Sequence, residues 1–345
     1  MALIFRGRRG LSQMQRYEGG NLEEGSRIAV VVNDAIGNFA VATPLLQVLQ
    51  ARGYACDLYS GNRVAELVRF SSLVDSSHDI LGSPVHEMVH KLGPAPCELV
   101  VNLEHTPWAM TVAAILGGQE TPIAGPCVGP GGRGELPHPG DDRGDLWRDR
   151  EWASADLPSR YPYLSSGHIS EIFVRLLYFD DPVPGYLFPS HSPSRPVPPV
   201  LVALSASLPS KLWPVERWIE VCRELGKVHG SVGLLGAPRK AQGHFYKGAS
   251  DEDRLVSEAG VEDLRGSLTL PEVVGALASA RLVLTLDNGI LHLAAAGSAQ
   301  VVGLFRPGIV HLWCPRRPGL VSVVPSECGA VSDISLDEVR AACGL

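Results

Sequence analysis

The chain has 345 residues, more than a single hydrophobic core usually holds, so two domains are expected. Hydrophobic residues make up 45% and charged residues 19%, which is ordinary for a globular protein, and no apolar run is long enough to span a bilayer. The net charge of −7 argues against nucleic acid as a general partner, because phosphate binding needs a clustered positive field.

Residues 1–25 lack hydrophobic periodicity and are predicted to form a flexible arm. The sequence then alternates between short β-rich runs and segments with apolar residues at helical spacing. The predicted strands of this half are RIAVVV (27–32), ACDLYS (55–60) and CELVVNL (97–103). The predicted helices are FAVATPLLQVLQ, RVAELVRF, PWAMTVAAILGG and HISEIFVRLLYF. This alternation is typical of βαβ units, so residues 26–183 are predicted to form one Rossmann-like domain.

Two segments interrupt the alternation. Residues 125–146 are dense in glycine, proline and charge, and we expect them to form a mobile loop that buries no core. Residues 184–199 are rich in proline and are predicted to be a semi-rigid linker.

The alternation restarts at residue 200. The predicted strands are VLVALS (200–205), SVGLLG (231–236), RLVLTL (281–286) and QVVGLF (300–305). The predicted helices are WPVERWIEVCRELGKVHG, PEVVGALASA and GILHLAAAG. Residues 200–345 are therefore predicted to form a second Rossmann-like domain. The predicted class is α/β, with two doubly wound domains facing across a cleft where two ligands can meet.

Ser207 and Lys211 follow the first strand of the second domain, within SASLPSKLWP. A hydroxyl and an ammonium at this place could hold phosphate oxygens. The spacing lacks the glycines of a Walker motif, so a polar loop with one exposed lysine is the simpler explanation of this segment alone.

A second group of polar residues lies between two apolar runs in LTLDNGILHLAAAG. Asn288 and Gly289 are predicted to start a helix whose free N–H groups and positive dipole end suit a diphosphate. His292 lies about one turn further on. The Asp287 carboxylate can only accept hydrogen bonds, which suits contacts with sugar or ribose hydroxyls. A capping Asp287 and a buried His292 with satisfied hydrogen bonds are the alternatives.

The first domain offers two further groups. Asp34 and Asn38 lie in the turn and helix start after strand 27–32 and are predicted to face the second domain, although turn and capping residues have the same composition. Glu104 and His105 follow strand 97–103 and could be acid, base or hydroxyl-binding groups.

Together these stretches resemble glycosyltransferase family nine, the ADP-heptose:lipopolysaccharide heptosyltransferases. The resemblance rests on three motifs. KLWP precedes a predicted helix, as in that family, and DNGILH matches the family's D-[ST]-G-x-x-H core except that Asn288 replaces Ser or Thr. IGNFAVATP matches the family's N-terminal G-D-x-x-x-x-x-P segment except that Asn38 replaces Asp. It spans about residues 27–60 and 198–308 and is most specific in the second half.

The resemblance implies a GT-B fold and an inverting transfer that needs no metal and no cofactor besides a nucleoside-diphosphate sugar, ADP-linked in the family. It assigns the donor site to Ser207, Lys211, Asp287, Asn288, Gly289 and His292. The family's proposed base is an aspartate where this chain has Asn38, and an amide cannot take a proton near neutral pH. Asp34 and His105 are the predicted replacements, with Asn38 orienting the acceptor.

We therefore predict a glycosyltransferase. Residues 27–110 carry a net charge of −3, counted from their lysines, arginines, aspartates and glutamates, which fits a polyanionic acceptor poorly. A small neutral or cationic acceptor, such as a secondary metabolite, is preferred to a lipopolysaccharide core. The arginines of the arm keep a lipid acceptor and peripheral membrane contact open. Two other functions are alternatives: a sugar-nucleotide-binding protein that has lost its base, and an epimerase.

A cytoplasmic location is expected, for two reasons. The first residues, MALIFRGRRG, place a short apolar run before the arginines, whereas a secretory signal has its basic residues before a longer apolar run. The seven scattered cysteines contain no CxxC and suggest neither a disulfide framework nor a zinc site.

Overall fold

The computed structural model describes residues 14–84, 86–87, 92, 96–238, 247–325 and 329–345. Each half of the chain builds one parallel sheet with helices packed against it, which confirms the predicted α/β class. Apolar runs such as RIAVV and LVLTL are buried almost completely, as strands covered on both faces must be.

The sheet of the first domain has the order β3-β2-β1-β4-β5. Its strands are β1 (Arg27–Val31), β2 (Ala55–Gly61), β3 (Ser76–Leu81), β4 (Leu99–Asn102) and β5 (Ile123–Ala124). The helices among them are α1 (Ile36–Ala51), α2 (Ala65–Arg69) and α3 (Pro107–Gly117). Strand β3 was not predicted, because SSHDIL is mostly polar and half exposed.

Residues 125–146 are not the mobile, coreless loop that their composition predicts. Val128 and Glu135 form an antiparallel bridge, while Cys127, Leu136 and Leu146 are buried. Helices α4 (Asp142–Arg148), α5 (Leu157–Arg160) and α6 (Ile169–Arg175) follow, and α6 packs against α1.

The described part of the arm is also held in place. The Arg16 guanidinium donates to backbone carbonyls of residues 123, 125, 136 and 137, and Tyr17 is buried with its N–H donating to the Ile123 carbonyl at 3.1 Å. Residues 14–17 therefore cover the edge of β5. Residues 1–13 of the predicted arm lie outside the described residues.

The sheet of the second domain has the order β11-β10-β9-β6-β7-β8. Its strands are β6 (Val200–Ala203), β7 (Val232–Leu234), β8 (Glu262–Asp263), β9 (Leu282–Leu286), β10 (Gln300–Leu304) and β11 (Leu320–Val323). Its helices are α7 (Val215–His229), α8 (Ala249–Ala259), α9 (Leu270–Ser279), α10 (Gly289–Ala294), α11 (Val310–Trp313) and α12 (Leu336–Cys343).

Residues 184–199 are all described, and none of them belongs to a helix or a strand. This segment leads from the first domain to β6 and is anchored on the way, since the His191 N–H donates to the Pro271 carbonyl at 2.9 Å. No helix within the described ranges is long and apolar enough to cross a membrane.

Candidate functional site

The two sheets bring the predicted site residues to equivalent places. In each sheet the strand order reverses between the first and fourth strands, β1 beside β4 and β6 beside β9. Ligands of doubly wound folds bind at the carboxyl ends of strands where this reversal opens a crevice. The chain segments that follow these four strands contain most of the residues singled out from the sequence.

The crevices of the two domains face each other where two helices begin. Helix α1 packs against α10, and a Cβ added to Gly289 would lie 2.8 Å from the Ile36 Cβ. A Cβ added to Gly37 would lie 3.3 Å from Cδ2 of His292. Glycine at both positions therefore lets the helix starts approach closely across the cleft.

A cavity of about 420 Å³ lies between the domains, within the usual range of small-molecule sites. Seven of the nine predicted site residues line it, namely Asn38, Ser207, Lys211, Asp287, Asn288, Gly289 and His292. Arg63, Arg306 and Trp313 line it as well and were not predicted. Asp34 and His105 do not line it.

Lys211 and Asp287 form a shielded ion pair. Lys211 ends a short 3₁₀ turn (Pro209–Lys211), and its Nζ lies 2.6 Å from Asp287 Oδ2 and 3.1 Å from the Asp287 carbonyl oxygen. The side chains are only 15% and 7% exposed. The lysine is therefore no freely exposed surface residue, and the aspartate offsets its charge. Ser207 is exposed on the preceding loop and faces the same cavity.

Asn288 is the residue that caps α10. Its Oδ1 accepts hydrogen bonds from the N–H groups of Ile290 and Leu291 at 2.9 and 3.3 Å, and its Nδ2 donates to the Ser205 carbonyl at 2.9 Å. Two of the N–H groups that the sequence offered to a diphosphate are thus already satisfied. The capping role belongs to Asn288 and not to Asp287.

His292 is almost fully buried while still lining the cavity. Its Nδ1 has no hydrogen-bond partner among the described residues, and its ring lies 5.8 Å from the Tyr186 ring. Burial lowers the pKa of His292 to about 4, with Asp287 opposing and Lys211 adding to the shift. The imidazole is therefore neutral at pH 7 and offers hydrogen bonds but no charge to a ligand.

Asp34 is buried behind the cavity wall. Its carboxylate forms an ion pair with Arg63, and it lies so close to Gly61 that a Cβ there would be 2.8 Å from Oδ2. Arg63 lines the cavity. The geometry therefore gives Asp34 the role of holding Arg63 in place.

His105 is directed elsewhere. Its side chain is half exposed, and Nε2 lies 3.2 Å from Oε2 of Glu135, which also contacts His138 at 2.9 Å. Glu135 thus holds His105 on the loop that the sequence predicted to be mobile.

Asn38 contacts the carboxylate of Glu104. Asn38 Nδ2 donates to Glu104 Oε1 at 2.6 Å, and the Asn33 N–H donates to the same oxygen at 3.3 Å. The other oxygen, Oε2, has no hydrogen-bond partner in the part of the chain that the structure describes. Burial raises the pKa of Glu104, against the lowering effect of these two hydrogen bonds. One N–H of Asn38 Nδ2 is therefore engaged, which leaves its second N–H and its Oδ1 for a ligand.

Comparison with known proteins places this architecture. Residues 188–324 match the model of Glycosyltransferase family 9 (heptosyltransferase). The glycosyl transferase family 9 structure from Veillonella parvula DSM 2008 has a TM-score of 0.65 at 15% identity, covering 94% of this chain and 97% of that chain.

Two Escherichia coli structures are similarly close. ADP-heptose lps heptosyltransferase II has a TM-score of 0.65 at 16% identity, covering 92% of this chain and 97% of that chain. Heptosyltransferase WaaC, solved with ADP-2-deoxy-2-fluoro heptose, has a TM-score of 0.61 at 15% identity, covering 92% of this chain and 99% of that chain.

At such identities the structural likeness establishes the fold, and a comparison with curated proteins finds no match. The sequence resemblance to glycosyltransferase family nine is confirmed by the family model over residues 188–324, and the GT-B architecture by the structures. Residues 188–324 thus match the family 9 model, and the chain shares the GT-B fold of these structures.

Proposed function

We propose that the cleft transfers a sugar from a nucleoside diphosphate to an acceptor hydroxyl. The observation that carries the proposal is a cavity that is lined from both domains and lies where their strand reversals face each other. A donor on the second domain and an acceptor on the first would meet there, so the reaction gains from proximity and from exclusion of water.

The donor contacts follow from the chemistry of the lining residues. Asp287 can only accept hydrogen bonds, which suits hydroxyls of the sugar or ribose, and the neutral His292 offers a further hydrogen bond. Lys211 can turn from Asp287 toward a phosphate oxygen that enters the cavity. We propose an ADP-linked sugar, as in the WaaC structure, and a heptose among the sugars to be tested first.

The acceptor is proposed to bind against Asn38, with Glu104 as the proton acceptor. In an inverting transfer the acceptor oxygen attacks the anomeric carbon as the bond from that carbon to the diphosphate breaks. The leaving diphosphate keeps the electron pair, and the hydroxyl proton passes to the carboxylate. Glu104 suits this role because its side chain is partly buried, its pKa is raised, and one of its carboxylate oxygens has no partner among the described residues.

A small neutral or cationic acceptor fits this side of the cavity better than a lipopolysaccharide core. The charge of Arg63 is offset by Asp34, and Glu104 adds a carboxylate beside Asn38. A polyanion would meet little uncompensated positive charge there. The six described cysteines are free thiols, which supports a proposed cytoplasmic location. Independence from metal stays a prediction, checked by turnover in excess EDTA.

Donor binding can be tested before any acceptor is known. ADP-, GDP-, UDP- and dTDP-sugars should be compared by thermal shift, since a ligand at 100 times its Kd stabilises a fold by roughly 2.7 kcal/mol. Lys211→Ala and His292→Ala should each reduce the shift, whereas Lys227→Ala, an exposed lysine on α7, should leave it unchanged. No shift with any donor would refute the proposed donor site. Donor binding without transfer to any acceptor would favour a binding protein.

A further inference from the structure

The positive charges around the cavity are unequally compensated. Lys211 is paired with Asp287, and Arg63 is paired with Asp34. His292 is neutral at pH 7. A diphosphate that enters the cavity therefore meets two cations whose charges carboxylates already offset.

Arg306 differs from both. Its guanidinium lines the cavity, yet it makes no hydrogen bond or ion pair with any residue that the structure describes. Its Nε is shielded from solvent and has no partner there. An arginine in this condition loses hydration without regaining hydrogen bonds, which costs stability unless a ligand supplies the missing acceptors.

The position of Arg306 directs it toward the donor site. It follows the buried Phe305 directly after β10, at the carboxyl end of the strand next to β9. The Asp287 N–H donates to the carbonyl of Leu304 at 3.1 Å, so Arg306 leaves the sheet beside the Lys211–Asp287 pair. A guanidinium presents its N–H groups as a planar fork that matches two oxygens of a phosphate.

We infer that Arg306 binds the diphosphate of the donor and supplies the uncompensated charge that this site needs. The inference rests on the proposed function, since it assumes a nucleoside-diphosphate donor. The contact strengthens as the sugar leaves, because the bond that breaks leaves its electron pair, and hence added negative charge, on the diphosphate. Arg306 therefore contributes to turnover as well as to binding.

Arg306→Gln tests the assignment, with Arg281→Gln as the matched control. Arg281 is exposed at the start of β9, at the opposite edge of the same sheet, so both variants remove one positive charge from that domain. The probes are ADP, GDP, UDP and dTDP, each beside its monophosphate, titrated calorimetrically. For the diphosphate that binds wild type best, Arg306→Gln should weaken binding by roughly 10- to 100-fold. The affinity for the matching monophosphate should fall by a smaller factor. The diphosphate affinity of Arg306→Lys should lie between those of wild type and Arg306→Gln.

The melting temperature of the free protein separates this role from a structural one. Because Arg306 has no partner in the described structure, Arg306→Gln should leave that temperature unchanged or raise it. Diphosphate affinity equal to that of Arg281→Gln would overturn the inference while leaving the donor site intact. A lowered melting temperature with equal losses for diphosphate and monophosphate would also overturn it. Failure of wild type to bind any of the four diphosphates would refute the proposed function itself.

Discussion

Glu104→Gln is the substitution that most directly tests how the acceptor hydroxyl loses its proton. Glutamine has nearly the same size as glutamate, and its Oε1 can still accept the 2.6 Å hydrogen bond from Asn38 Nδ2. It cannot accept a proton near neutral pH. The change therefore removes the proposed base while preserving the contact that orients Asn38.

The expected loss follows from what a general base contributes. Such a group accelerates a reaction by roughly 10²–10⁴-fold, which corresponds to about 3–5 kcal/mol of transition-state stabilisation. We expect kcat to fall by that factor. The KM for the donor should change little, because Glu104 contacts Asn38 of the first domain and does not itself line the cavity. Release of the nucleoside diphosphate, measured with a competent acceptor, gives both parameters.

The pH profile supplies a second measurement. Burial raises the pKa of Glu104 above its usual value of 4.5, so wild-type turnover should fall as the pH drops through that raised pKa and the carboxylate takes up a proton. Glu104→Gln should lack this acidic limb. Glu135→Gln is the matched control, because it makes the same change on a carboxylate that contacts His105 and His138 and not Asn38, and it should keep both rate and limb.

Two outcomes would refute the role of Glu104 as the base. If Glu104→Gln retains more than a third of wild-type kcat, or keeps the acidic limb, another group takes the proton. Asp34→Asn and His105→Gln then identify it in the same assay. Asp34→Asn would also remove the ion pair with Arg63, so a change in donor KM would report that positioning role and not proton transfer.

Three further outcomes are expected. Lys211→Ala leaves the Asp287 carboxylate buried without its cation and should lower the unfolding free energy by about 3 kcal/mol; Lys211→Ala/Asp287→Asn should regain most of that stability in urea unfolding but not donor binding. Gly289→Ala forces a Cβ into the opposing helix start, so small-angle scattering should show a more open cleft and the donor KM should rise. Wild-type stability should fall as pH drops from 6.5 toward 4, because burial lowers the pKa of His292 and the unfolded chain binds the proton first; His292→Asn should reduce the slope of unfolding free energy against pH by about one proton.

The glycine and histidine variants each have a control. Gly226→Ala places a Cβ in open space within α7 and should leave the cleft and the donor KM unchanged. His311 is exposed, so His311→Asn should keep the full pH slope. His168 and His138, whose burial lowers their pKa values to about 3 and about 4, contribute to the slope that remains in His292→Asn. Equal effects of a variant and its control would contradict the reasoning in either case.

The fold was predictable where hydrophobic pattern alone decides it. The buried runs of β1, β6, β9 and β10 and the amphipathic α7 are visible in the sequence because both faces, or one whole stripe, must be apolar. Elements at the sheet edges could not be predicted from hydrophobic pattern. Strand β3 is mostly polar. The placement of residues 14–17 depends on Arg16, which donates to carbonyls more than 100 residues away in the sequence.

The part of the site on the second domain was predictable for a related reason. Asp287 to His292 lie on one continuous strand-to-helix junction, so their proximity is a property of local sequence. The part on the first domain depends on pairings between distant segments. Nothing near Asp34 in sequence reveals that Arg63 will pair with it, and nothing near His105 reveals Glu135. A signal for Arg306 existed, since a cation directly after a buried strand lies at the ligand-binding edge.

The amide at position 38 is better explained by relocation of the base than by its loss. Residue 38 follows β1, and Glu104 follows β4, the strand that pairs with β1 at the reversal of the sheet. A carboxylate can therefore move from one position to the other and stay within one hydrogen bond, 2.6 Å, of the same point. A binding protein that no longer transfers sugar gains nothing from a partly buried carboxylate with a raised pKa and no cation beside it among the described residues, because such a group costs stability. The presence of this destabilising carboxylate beside Asn38 argues for proton transfer at this place. Asn38→Asp should then produce two carboxylates that share a proton, which should move the acidic limb of turnover to higher pH.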